Sequence, residues 1–136
     1  TYAPPERYDS PEEAVANDDD YAEYDNQETY DSTGMHDNVT NNTRITIATA
    51  GYYRLKGKLR TGTNTSIGAK FAISGTAQAE TEVWSGFATG AFADVSVDTT
   101  LYLTVGQYVE LQGATTTATV VLTSANCYFE AHWTSN

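Results

Sequence analysis

From residue 43 to the C-terminus, apolar residues recur at every second position, and this alternation constrains the fold more than any other feature of the chain. A period of two puts successive side chains on opposite faces of an extended strand. In "YYRLKGKLR", Tyr53, Leu55, Gly57 and Leu59 fall on one face, and Tyr52, Arg54, Lys56, Lys58 and Arg60 on the other. Ile45 and Ile47 share a face. "AKFAIS" turns Ala69, Phe71 and Ile73 inward, and "VSVDTTLYLTV" turns Val95, Val97, Leu101, Leu103 and Val105 inward. The same holds for Val109 and Leu111, for Ala118, Val120 and Leu122, and for Cys127, Phe129, Ala131 and Trp133. Turn-forming stretches such as "TGTNTSIG", "SGTAQAE" and "QGATT" separate these runs. No amphipathic helical pattern follows residue 30. Short strands with one apolar face each predict two packed antiparallel sheets, an all-β sandwich or jelly roll.

The N-terminal part is different in kind. Residues 1–42 hold twelve of the eighteen acids and one of the seven bases, Arg7, so the whole net charge of −11 resides there. The remainder is neutral. Residues 1–28 contain all three prolines and almost no branched aliphatic residues, a composition that buries too little apolar surface to offset chain entropy. An extended acidic arm over 1–28, preceding a β domain over 29–136, is therefore expected. Tyr2, Tyr8, Tyr21 and Tyr24 are spaced along it as candidate docking anchors, because an aromatic ring on a solvated segment has apolar area to bury on another surface. "SPEEAV" could form one helical turn, with Ser10 as cap and Pro11 at the first helical position. "NDDDYAEYDNQE" has acids at calcium-loop spacing but lacks the central glycine of that turn.

Little in the chain points to chemistry. The single cysteine, Cys127, has no disulfide partner and lies in an alternating run, as a small buried hydrophobe would. His36 stands beside Asp37, but the other histidine, His132, is far along the chain, and no cysteine accompanies either at ligand spacing. No nucleophile elbow, phosphate loop or dinucleotide fingerprint is present, so no enzyme, metal or cofactor is expected. A polyanionic arm disfavours nucleic acid as a partner. The longest apolar runs are too short to span a bilayer, so no membrane partner is expected. Thr1 is what removal of an initiator Met before a small residue would leave, and no apolar leader follows, so synthesis inside the host cell is expected.

"YDSTGMHD" followed by "NNTRITIATAGYYRLKG" resembles the start of a jelly roll of the complement globular-head and tumour-necrosis-factor-like family, in the form found in bacteriophage and bacterial structural proteins. "LYLTVGQYVELQ" is similar to that family's Leu-x-x-Gly-Asp-x-Val-x-Leu hairpin, with Leu103, Gly106, Val109 and Leu111 in matching places and Gln107 where Asp is usual. "CYFEAHW" looks like its closing strand. The resemblance covers about residues 29–136 and makes Gly34, Gly51 and Gly106 fold-motif positions. It implies a compact homotrimer without catalytic activity.

Together these readings describe a virion structural protein: a trimeric capsid decoration or cement protein, located in the virion and held to another virion protein by its arm. The alternative is a phage fibre-tip or appendage module binding a receptor through loop aromatics such as Trp84, Phe87 and Phe92. The row Arg54, Lys56, Lys58 and Arg60 is either a solvated outer face or a basic stripe that docks an acidic segment.

Overall fold

The computed structural model describes residues 6–11, 14–15, 20–21, 24–30, 44–61, 66–85, 93–115, 120–121 and 127–136. Among them there is no α-helix. A five-stranded antiparallel sheet runs in the order β10 (Ala93–Leu103), β6 (Gly51–Thr61), β13 (Tyr128–Ser135), β1 (Glu6–Pro11) and β4 (Tyr24–Tyr30). The second sheet centres on the pair β11 (Tyr108–Thr115) and β7 (Ile67–Ile73). Strands β5 (Arg44–Thr46) and β3 (Asp20–Tyr21) share the free edge of β11, and β8 (Thr76–Ala77) and β9 (Val83–Trp84) share that of β7. A small third pair joins β12 (Val120–Val121) to β2 (Ala14–Val15), and one 3₁₀ turn spans Ala79–Thr81. This is an antiparallel jelly-roll sandwich, as the alternation predicts.

The core is made by the inward faces of both sheets. From the first come Tyr53, Leu55 and Leu59 of β6, Val95 and Val97 of β10, and Phe129, Ala131 and Trp133 of β13, all buried. From the second come Ile67, Phe71, Val109 and Leu111. Phe71 and Phe129 meet across the sheets with ring centroids 5.7 Å apart. The polar tips of buried aromatics are satisfied locally: the Tyr53 hydroxyl donates to the Thr49 carbonyl at 2.6 Å, and the Trp133 indole N–H donates to the Ala50 carbonyl at 3.1 Å.

Three sequence expectations need correction. Val105 was placed inward but is 66% exposed, because the strand ends at Leu103 and a turn follows. In that turn Gln107 N–H donates to the Thr104 carbonyl, and Gly106 has φ +91°, a conformation that glycine adopts without a Cβ penalty. Strand β11 is buried on both faces: Glu110, Gln112 and Ala114 are covered as well as Val109 and Leu111. Ser10 and Pro11 belong to β1, so no helical turn starts there. Within residues 6–30, β1 pairs with β13, with Arg7 opposite Glu130 and Tyr8 opposite Phe129, β4 pairs with β1, and β3 pairs with β11.

Leu111 of the second sheet packs against the backbone of β6 at Gly57, where β6 has no side chain. A Cβ on Gly57 would stand 2.8 Å from Leu111 Cδ2 and 3.0 Å from Cδ1, and Leu111 is fully buried. Overpacking of this kind costs about 1–3 kcal/mol. Gly57→Ala is therefore expected to lower the free energy of unfolding by that amount, seen as a lower urea midpoint with an unchanged m-value. An unchanged midpoint would mean that Leu111 has room to withdraw and that this contact does not set the sheet spacing.

Candidate functional site

The outward face of the five-stranded sheet brings the sequence-singled residues together. Strands β10 and β6 pair without interruption over eleven residues, with Asp94 opposite Arg60, Ser96 opposite Lys58, Asp98 opposite Lys56, Thr100 opposite Arg54 and Tyr102 opposite Tyr52. On the other side of β6, Tyr128 lies opposite Lys58, Glu130 opposite Lys56 and His132 opposite Arg54. The four cations of β6 thus form a central row, and Asp94, Asp98 and Glu130 flank it.

Pairing within this face is uneven. Arg60 grips Asp94 directly across the strands, with Nη2 2.6 Å from Oδ2 and Nε on the other carboxylate oxygen. Arg54 reaches diagonally to Asp98, 2.8 Å from Nη2 and 3.2 Å from Nε. Both are bidentate forks, the geometry a guanidinium favours and an ammonium cannot make. Asp98 faces Lys56 in register yet bonds Arg54 for this reason. Among the described residues, neither Lys56 nor Lys58 has a carboxylate within ion-pair distance. Half of the basic row is therefore neutralised inside the sheet. Its two central lysines act on Asp94 and Asp98 through space but form no ion pair among the described residues.

One end of the same face is aromatic. Tyr52 and Tyr102 are cross-strand partners whose rings meet edge to face, with centroids 5.1 Å apart and planes at 77°. They are 45% and 53% exposed. Beside them opens a groove lined by Ile73, Gln78, Leu101, Tyr102, Leu103 and Gln107. Tyr108 is half-buried beneath Arg44, whose guanidinium carbon sits 3.7 Å from the ring centroid, and Tyr128 is also half-buried. Tyr102, Tyr108 and Tyr128 each alternate with inward residues of their strands, which predicts three exposed rings. Only Tyr102 is broadly open, and its pairing with Tyr52 depends on register, which the sequence does not display.

Other singled-out residues lie elsewhere. Tyr8, Tyr21 and Tyr24 are in β1, β3 and β4, while Tyr2, Gly34, His36, Phe87 and Phe92 lie outside the described residues. Gly51 opens β6 at φ +151°, where a Cβ would collide with the Trp133 indole. His132 is half-buried beside Arg54. Among the described residues no three His, Cys, Asp or Glu side chains gather as a metal site would require, and no helix is long and apolar enough to cross a membrane. The Cys127 thiol accepts from Arg60 N–H, and burial pushes its pKa up to about 11, which makes it a poor nucleophile at neutral pH.

No protein-family model matches the chain, and no curated protein matches its sequence. Solved structures do. Murine APRIL at pH 8.5 superposes with a TM-score of 0.67 at 12% identity, over 96% of this chain and 98% of that one. Murine APRIL at pH 5.0 gives 0.65 at 11% identity, over 93% and 99%. The fold is the tumour-necrosis-factor-like jelly roll. Identity this low carries the fold alone. The likeness extends over more of the chain than the motifs of residues 29–136.

The ion pairs have a pH signature. Hydrogen bonds from Arg54 and Arg60 hold the carboxyls of Asp98 and Asp94 below the usual carboxylate range. A depressed folded-state pKa adds stability that is present above the ordinary carboxylate value, near pH 4, and is lost as pH falls through the lowered one. Solvent reaches both pairs, so the contribution is small. The stability difference between the wild type and Asp94→Asn/Asp98→Asn is expected to be constant above about pH 5 and to close below about pH 4. A difference independent of pH would show that the arginine forks do not stabilise the folded state through charge.

Proposed function

We propose that the chain is a non-enzymatic assembly module that forms a homotrimer and serves as a capsid decoration or cement protein on a phage particle. The exposed Tyr52–Tyr102 pair carries this reading. Two tyrosines on adjacent strands, next to the half-buried Leu101 and Ile73, offer amphipathic area whose burial is favourable and whose hydroxyls still find partners at an interface. The tumour-necrosis-factor-like fold favours association, and the sequence resemblance to phage structural proteins favours a virion. On a particle, the body would sit on the shell, and the acidic segment together with the lysines of β6 would supply repeated weak contacts. Such contacts gain avidity from the lattice that no single one has.

Light scattering at micromolar concentration is expected to give three times the chain mass for the wild type. Tyr52→Ser/Tyr102→Ser is expected to give the monomer mass with an unchanged β circular-dichroism spectrum. A wild-type monomer would count against the assembly reading. The virion assignment is tested separately, by electron micrographs of particles with and without the protein: density on the head that disappears with it is the expected outcome.

The lysines make a second test. Lys56→Glu/Lys58→Glu is expected to weaken attachment to the shell at low salt, with the loss shrinking as salt rises, because exposed charges are screened over about 10 Å at 0.1 M. Equal attachment at low salt would reduce the stripe to a solvated face.

The alternative, a fibre-tip or appendage receptor-binding module, draws support from one observation, the exposed indole of Trp84 on the second sheet.

A further inference from the structure

Strand β9 lays the Trp84 indole directly over Gly68 of β7, its register partner. A Cβ on Gly68 would stand 2.5 Å from Trp84 Cε2 and 2.7 Å from Cδ2, so only glycine lets the ring lie this close. One face of the indole thus covers backbone, and the residue as a whole is still 48% exposed. Next to it is a cleft of about 150 Å³, counting its open mouth, lined by Gly68, Lys70, Glu82, Trp84, Gln112 and Ala114. Lys70 Nζ and Glu82 Oε2 stand 3.4 Å apart at its rim. Gln112, opposite Lys70 in register, is 8% exposed, and its Oε1 is buried with no hydrogen-bond donor among the described residues.

We propose that this cleft binds a neutral hexopyranose ring of a glycan. A buried carboxamide oxygen without a donor is costly, and the group that relieves it must bring an O–H or N–H into the cleft. The enclosed part of the cleft has room for one water-sized group, which is the size of a single hydroxyl. A sugar hydroxyl donating to Gln112 Oε1 leaves the rest of the ring at the mouth, against Trp84. There the C–H face of the pyranose meets the negative face of the indole, which favours positively polarised hydrogens. Glu82 accepts from, and Lys70 donates to, further ring hydroxyls. Among the described residues, the rim charges of Lys70 and Glu82 offset each other, which suits a neutral sugar. The cleft lies on the sheet opposite the Tyr52–Tyr102 face, so occupation by a glycan does not compete with assembly through that face.

The full-length protein is examined by saturation-transfer difference NMR with the methyl glycosides of glucose, galactose, mannose and N-acetylglucosamine. At about 50 mM even a site of millimolar affinity is filled. At least one glycoside is expected to give saturable transfer, strongest at the ring C–H groups that face the indole. Trp84→Ala is expected to abolish it, and Trp84→Phe, which keeps an aromatic face, to retain part. Removal of the indole could also loosen β9, so the second variant is Gln112→Met. It keeps the volume, removes the orphaned oxygen, and is expected to melt no lower than the wild type while binding at least about tenfold more weakly. No saturable transfer from any of the four, which would leave a bound water as the only occupant, overturns the proposal. So does transfer that survives either Trp84→Ala or Gln112→Met. Oligomeric mass measured on the same samples keeps these outcomes separate from the assembly reading.

Discussion

The alternation of β6 has to satisfy two environments along one strand, and the rest of the structure is arranged around it. Its inward residues are Tyr53, Leu55, Gly57 and Leu59, and its outward ones Arg54, Lys56, Lys58 and Arg60. A slip of one residue in its pairing would turn four cations into the apolar core, so the register is fixed by burial alone. Strand β10 then adds a second condition. It places Asp94 and Asp98 where two arginine forks can close, which favours the same register from the solvent side. Apolar burial provides most of the energy. The exposed ion pairs add specificity of alignment and little stability.

The fold was legible in the sequence because strand periodicity is a local signal. Inward faces of β6, β10 and β13 follow directly from alternation, and so does the absence of α-helices among the described residues. The site was less legible because it depends on which strands lie side by side. The acids of β10 have the spacing of the cations of β6, and this was the available clue to the Arg54–Asp98 and Arg60–Asp94 pairs. It becomes informative only once the two strands are known to be neighbours. Tyr52 and Tyr102 are fifty residues apart in sequence and meet for the same reason. Strand β11 misled in the opposite way: its polar residues Glu110 and Gln112 read as a solvated face but are buried. Covered edges and layers leave no mark on the periodicity of the strand beneath them. Trp84 over Gly68 is a comparable case, since neither residue alone signals that one occupies the space the other leaves.

Charge placement bears on how copies of this chain could come together. The excess of acid lies entirely in residues 1–42, and the remainder is neutral. On the outward face of β6, the guanidinium forks cancel two of the four cations locally, so two such faces can approach without large repulsion. The acidic segments behave differently. Each brings −11 with it, and any assembly that brought copies side by side would gather that charge. Repulsion among them opposes association at low ionic strength and favours directions that separate them or bring them to a positive surface. Lys56 and Lys58, the two cations of the row without an ion pair among the described residues, lie two strands from β1 in the same sheet. The apolar and aromatic end of the face would then supply affinity between copies, and the acidic segments would select the surface on which assembled copies come to rest.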